Sequence, residues 1–136
     1  MLIVDVRAKV MYNDLYDWIA SHTPGSRCYK SELKEYQKNI WSPVTQLINQ
    51  LENKEYLDSE EKEFLDLVHY TGEIFRIQNY NPRNRGYICE TEFCQSWSYD
   101  LSGVTEVPNI RGEVLLIIAK TDMGINLFGL LKYLLK

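Results

Sequence analysis

The hydrophobic period changes once along this chain, and that change limits the folds open to it. In the first half, apolar side chains recur three or four positions apart. Leu15, Trp18 and Ile19 form one such set, and Leu33, Tyr36, Ile40, Val44, Leu47, Ile48 and Leu51 form another. Phe64, Leu65, Leu67 and Val68 form a third. This is the stripe of a helix that buries one side. From Glu73 onward the apolar residues alternate or run together in short stretches, as they do in strands. A chain of 136 residues suits one domain. The expected class is therefore α+β across residues 1–136. Residues 1–71 are expected to be mainly helical, and 72–136 mainly β with a terminal helix. The helical half would pack on a small mixed or antiparallel β core.

Local signals place the boundaries. Met1 to Val10 interleaves Asp5, Arg7 and Lys9 with apolar residues, an alternation that predicts a strand. Thr23-Pro24-Gly25 is a turn signal. Pro43 falls inside the longest helical stripe. Because proline lacks a donor and crowds the preceding turn, a kink or break is expected near Ile40 to Ser42. Asp58 followed by Glu61 reads as a capping box, and Gly72 as a helix stop. The acidic stretch Glu52 to Asp66 has no His, so it reads as a solvated helical face and not as a metal site.

Three strands are predicted: Glu73 to Tyr80, Glu92 to Tyr99, and Glu113 to Lys120, with a loop at Asn81 to Gly86. The third is apolar on both faces and reads as central. Asp122 to Asn126 is expected to turn the chain before Leu127 to Leu135, which reads as a final helix or as a mixture of strand and helix.

Composition narrows the function classes. Nineteen acidic residues against fifteen basic ones give a net charge of -4, which argues against a cationic binder of nucleic-acid backbones. Cys28, Cys89 and Cys94 do not make a disulfide framework or a zinc knuckle, and read as reduced thiols. The longest apolar run, Val114 to Ala119, is too short for a bilayer, so no membrane association and a cytoplasmic location are expected. Ten Tyr and three Trp are an unusual endowment for a small chain; these residues suit ligand clefts and recognition surfaces as well as cores.

The chemistry-bearing residues stand in a definite order. Arg76 lies in the first predicted strand among Ile74, Phe75 and Ile77. A guanidinium there needs an anionic partner. A ligand diphosphate is one, a carboxylate such as Glu90 or Glu92 is another, and a strand face turned to solvent is a third arrangement. Ser96-Trp97-Ser98 lies in the second strand, where hydroxyls ordinarily satisfy local hydrogen bonds. No strained nucleophile turn accompanies them. His69, close to a helix C-terminus, is explained by the helix dipole.

This order resembles the ADP-ribosyltransferases of the Arg/Ser-x-Ser/Glu class, toxin-like and phage-encoded members included. Glu73-Ile-Phe-Arg76-Ile resembles that family's first strand. Ile88-Cys-Glu-Thr-Glu-Phe93-Cys-Gln-Ser96-Trp-Ser98 resembles its second, Gly112-Glu-Val-Leu-Leu-Ile-Ile118 its third, and Gly124-Ile-Asn-Leu127 the connection that follows. The resemblance spans roughly residues 65–131. It implies NAD as substrate and transfer of ADP-ribose to a protein or nucleic-acid target, in a setting of phage or bacterial conflict. It implies that Arg76 binds the diphosphate or a nearby ribose, that Ser96 positions the nicotinamide-ribose end, and that Ser98 orders the site. Tyr80, Phe93, Trp97 and Tyr99 would offer a stacking surface to nicotinamide or adenine. Trp97 stands where the family commonly has a small residue. The family's Glu follows the final connection, whereas no acidic residue follows Asp122 here. Either that element is missing, or Asp122, Glu113 or Glu106 substitutes for it. The alternative is a non-catalytic, acidic interaction or inhibitor protein on the same or a similar fold.

Overall fold

The structure is a computed structural model that describes residues 2–21, 30–79, 97–102 and 114–136. The element order is α1 (Asp5–Ser21), α2 (Lys30–Tyr36), a π-helical turn (Gln37–Trp41), α3 (Ser42–Glu52), α4 (Ser59–Val68), β1 (His69–Asn79), β2 (Val114–Ile125) and α5 (Leu127–Leu134). Among the described residues the sheet is two-stranded and antiparallel, so the protein is α+β. The turn at Thr23 to Gly25, the loop from Asn81 to Gly86, the second strand up to Ser96 and all three cysteines lie outside the described residues.

The helices form where the apolar stripes predict them. In α1, Ala8, Met11, Leu15 and Trp18 are buried at intervals of three or four. That stripe also corrects the strand expected for Met1 to Val10. Helix α1 begins at Asp5, because Ala8 continues the inward row of Met11 and Leu15 while Val6 and Val10 face outward. The interleaved charges had mimicked a period of two. Ile40, Val44, Ile48 and Leu51 supply the facing surface, and Phe64, Val68, Leu130 and Tyr133 close the core.

Pro43 has the effect expected of it. It sits in the first turn of α3, where a missing N–H costs least. Just upstream the helix widens into the π turn, and the Ser42 N–H bonds to the Gln37 carbonyl, five residues back. The widening accommodates the proline ring and keeps Ile40 fully buried.

The capping box on α4 is complete. The Glu61 N–H donates to Asp58 Oδ1 at 2.8 Å, and the Asp58 N–H donates to Glu61 Oε1 at 3.1 Å. Lys54 Nζ meets the other Glu61 oxygen at 2.5 Å, so this nearly buried carboxylate is satisfied on both oxygens. Tyr133 is likewise tied, accepting from the Leu2 N–H and donating to Glu60. Burial raises its pKa above the usual phenol value, which keeps it a donor.

Helix α4 passes directly into β1 at His69. The expected stop at Gly72 is therefore displaced: the helix ends at Val68, and Gly72 lies inside β1 with φ +138°, beside a bulge in the pairing. Only glycine takes that conformation cheaply. The turn expected at Asp122 to Asn126 is also corrected. Strand β2 runs through Ile125, because the bulge absorbs the irregularity without ending the ladder. Nor is β2 covered on both faces by the described residues. Leu116 and Ile118 are exposed while Ile117 and Ala119 are half-buried.

Helix α5 follows at once. Asn126 caps it, with Oδ1 accepting from the Gly129 N–H at 2.9 Å. Gly129 lies against α4 so closely that a Cβ there would overlap the Leu67 carbonyl. Gly129→Ala is therefore expected to destabilise the protein by about 3 kcal/mol, the upper part of the usual overpacking range. Urea denaturation measures it, and a change within about 0.5 kcal/mol would contradict this packing.

Candidate functional site

Where β1 meets the segment around Ser98, two backbone hydrogen bonds set the geometry. The Phe75 N–H donates to the Ser98 carbonyl at 2.7 Å, and the Ser98 N–H donates to the Phe75 carbonyl at 2.9 Å. This is an antiparallel bridge, so Ser98 shares a face with Phe75. By alternation, Trp97 and Tyr99 share the opposite face with Ile74 and Arg76. That is also the better-covered face of the β1–β2 pair, where Ile117 lies opposite Arg76 and Ala119 opposite Ile74.

Two contacts follow from that placement. The Arg76 guanidinium carbon lies 5.8 Å from the centroid of the Trp97 ring, within cation–aromatic range. The Tyr99 ring lies 5.9 Å from Tyr70, tilted by 44°. Arg76 is 2% exposed, so of the arrangements the sequence leaves open, a strand face turned to solvent is not the one adopted.

The helical half supplies the other side. Trp18 meets Tyr36 and Trp41 edge to face, at centroid distances of 5.1 and 5.2 Å. The result is a groove of about 510 Å³. Its aromatic walls are Trp18, Trp41, Tyr70, Trp97, Tyr99 and Phe128. All three tryptophans of the chain are therefore in one groove. Trp18 is nearly buried at its floor, whereas Tyr99 and Phe128 are exposed at its rim. None of the described lining residues is charged.

The sequence-derived site residues fall in three groups. Trp97 and Ser98 line the groove, and Arg76 lies against Trp97 without lining it. The Ser98 hydroxyl is engaged in a local turn, donating to the Asp100 carbonyl and accepting from the Asp100 N–H. Asp122 is exposed at the bulge, between the lining residues Thr121 and Met123. Its carbonyl meets His69 Nε2 at 2.8 Å, and Glu52 meets the other ring nitrogen at 2.8 Å. Tyr80, Phe93, Ser96, Glu106 and Glu113 lie outside the described residues.

Sequence reasoning missed Trp18, Trp41, Tyr70 and Phe128 as groove residues. The aromatic excess was the only signal, and it carries no information about which rings meet. Among the described residues, no group of three or more His, Cys, Asp or Glu is placed to hold a metal ion, and no helix is long and apolar enough to cross a membrane.

No family model, curated protein or solved structure matches this chain.

Floor and rim should separate in mutagenesis. Trp18→Ala removes a buried ring that meets Tyr36 and Trp41 edge to face, and is expected to cost about 3–5 kcal/mol. Tyr99→Ala at the rim should cost less than about 1 kcal/mol. Equal costs in chemical denaturation would contradict this division.

Proposed function

We propose that this chain is an NAD-binding, ADP-ribosyltransferase-like protein whose aromatic groove holds a flat ring of the ligand. The observation that carries the reading is the convergence of six aromatic side chains on one groove beside the Arg76 strand. Its volume lies within the range of about 300–1,000 Å³ usual for small-molecule sites. Trp and Tyr faces suit nicotinamide or adenine, which bind by stacking and apolar burial. The family order of Arg76, Ser96-x-Ser98 and the apolar β2 segment supplies the rest of the support.

The lining fits the ring end of NAD better than its diphosphate, since no described lining residue brings a positive charge. The reaction implied is displacement of nicotinamide from its ribose by a nucleophile on a target protein or nucleic acid. It calls for a carboxylate to stabilise the developing positive charge. Asp122, which borders the groove in sequence, and Glu113 are the candidates. A second reading, a non-catalytic interaction protein, is favoured by one observation: the described lining holds no acid, base or nucleophilic thiol.

NAD carrying label on its adenylate half, incubated with the protein and a mixed lysate, tests both. Transfer is expected, and either Asp122→Asn or Glu113→Gln should lower it about a hundredfold. NAD binding without transfer would favour the second reading. Absence of NAD binding by calorimetry at millimolar ligand would refute the proposal.

A further inference from the structure

We infer that Arg76 is a positioning residue that holds the plane of Trp97 at the groove wall, and not the group that meets the ligand's phosphates. This rests on the reading that the groove binds a flat ring, and it departs from the role the family resemblance implies for Arg76.

Three observations carry it. Arg76 is 2% exposed and is not among the groove-lining residues, whereas Trp97 is. The Phe75–Ser98 bridge places both side chains on one face, in adjacent positions. The guanidinium carbon then lies 5.8 Å from the ring centroid. A planar guanidinium over an aromatic face restrains the ring's tilt in a way that a point charge on a flexible stem does not. At 2% exposure and off the groove lining, this guanidinium is not presented to a phosphate in the groove. The geometry therefore assigns Arg76 to the ring and leaves the diphosphate to groups outside the lining described.

The conservative variant Arg76→Lys separates the two roles, because it keeps the charge and removes the flat fork. Affinities are read by quenching of tryptophan fluorescence, with NAD and with two phosphate-free probes, adenosine and nicotinamide riboside. A positioning role predicts that Arg76→Lys weakens NAD and whichever phosphate-free probe binds by the same factor, about three- to tenfold. A loss confined to NAD, with the nucleosides unchanged, would overturn the inference.

A second measurement needs no ligand, so it decides the matter even if the wild-type protein binds none of the probes. Failure of all three probes would count against the proposed function alone. The near-ultraviolet circular dichroism of Trp97 is obtained as the difference between proteins with and without Trp97→Phe. That signal should fall by at least half when Arg76→Lys is introduced, with the far-ultraviolet spectrum unchanged. An unchanged Trp97 signal would overturn the inference. Should Arg76→Lys fail to fold, Arg76→Met, which keeps a long side chain and removes the charge, gives the same readout.

Discussion

Two backbone hydrogen bonds between Phe75 and Ser98 decide which side chains of this protein meet. Strand residues alternate faces, so fixing Ser98 beside Phe75 fixes Trp97 and Tyr99 on the side of Ile74 and Arg76. A slip of one residue would send Trp97 to the outer face and bring Ser98 inward. The guanidinium–indole contact, the Tyr70–Tyr99 contact and one wall of the groove all depend on that register.

The other wall depends on the helices. Trp18 continues the buried stripe of α1, and Trp41 closes the π turn that precedes Pro43. The turn therefore affects more than helix continuity, since it sets where Trp41 stands relative to Trp18. Helix α5, held close to α4 by Gly129 and capped by Asn126, brings Leu127 and Phe128 to the same place. A groove made by elements from both halves of the chain is cut off from neither the core nor the sheet. Its rings are at once packing residues and candidate ligand contacts.

The helical half was largely legible because its signals are local. The stripe from Leu33 to Leu51, the proline at position 43 and the Asp58–Glu61 box each act within a few residues, and the structure follows them. Where structure and sequence differ, each difference has its own physical cause. Alternating charges in Met1 to Val10 imitated a strand until the burial of Ala8 with Met11 showed the helical row. Gly72 looked like a helix terminator and Asp122 to Asn126 like a turn, whereas a bulge lets β1 contain the first and β2 run on to Ile125. The apolar run of β2 suggested cover on two faces, but Leu116 and Ile118 are exposed. The groove itself was illegible, because no spacing rule connects Trp18, Trp41 and Trp97. What brings them together is the packing of distant segments. The aromatic excess hinted at a recognition surface, and the motif order pointed to Arg76 and Trp97, yet neither showed that Arg76 lies behind the ring.

The central claim is that one groove, walled by all three tryptophans, receives a flat ring. The most direct measurement is an NMR titration that follows the three indole N–H signals as NAD is added. The account predicts that the signals of Trp18, Trp41 and Trp97 shift together along one saturating curve, while backbone signals of the Asp58–Glu61 cap stay in place. Indole signals that remain unmoved at saturating ligand, or that follow separate curves, would contradict it.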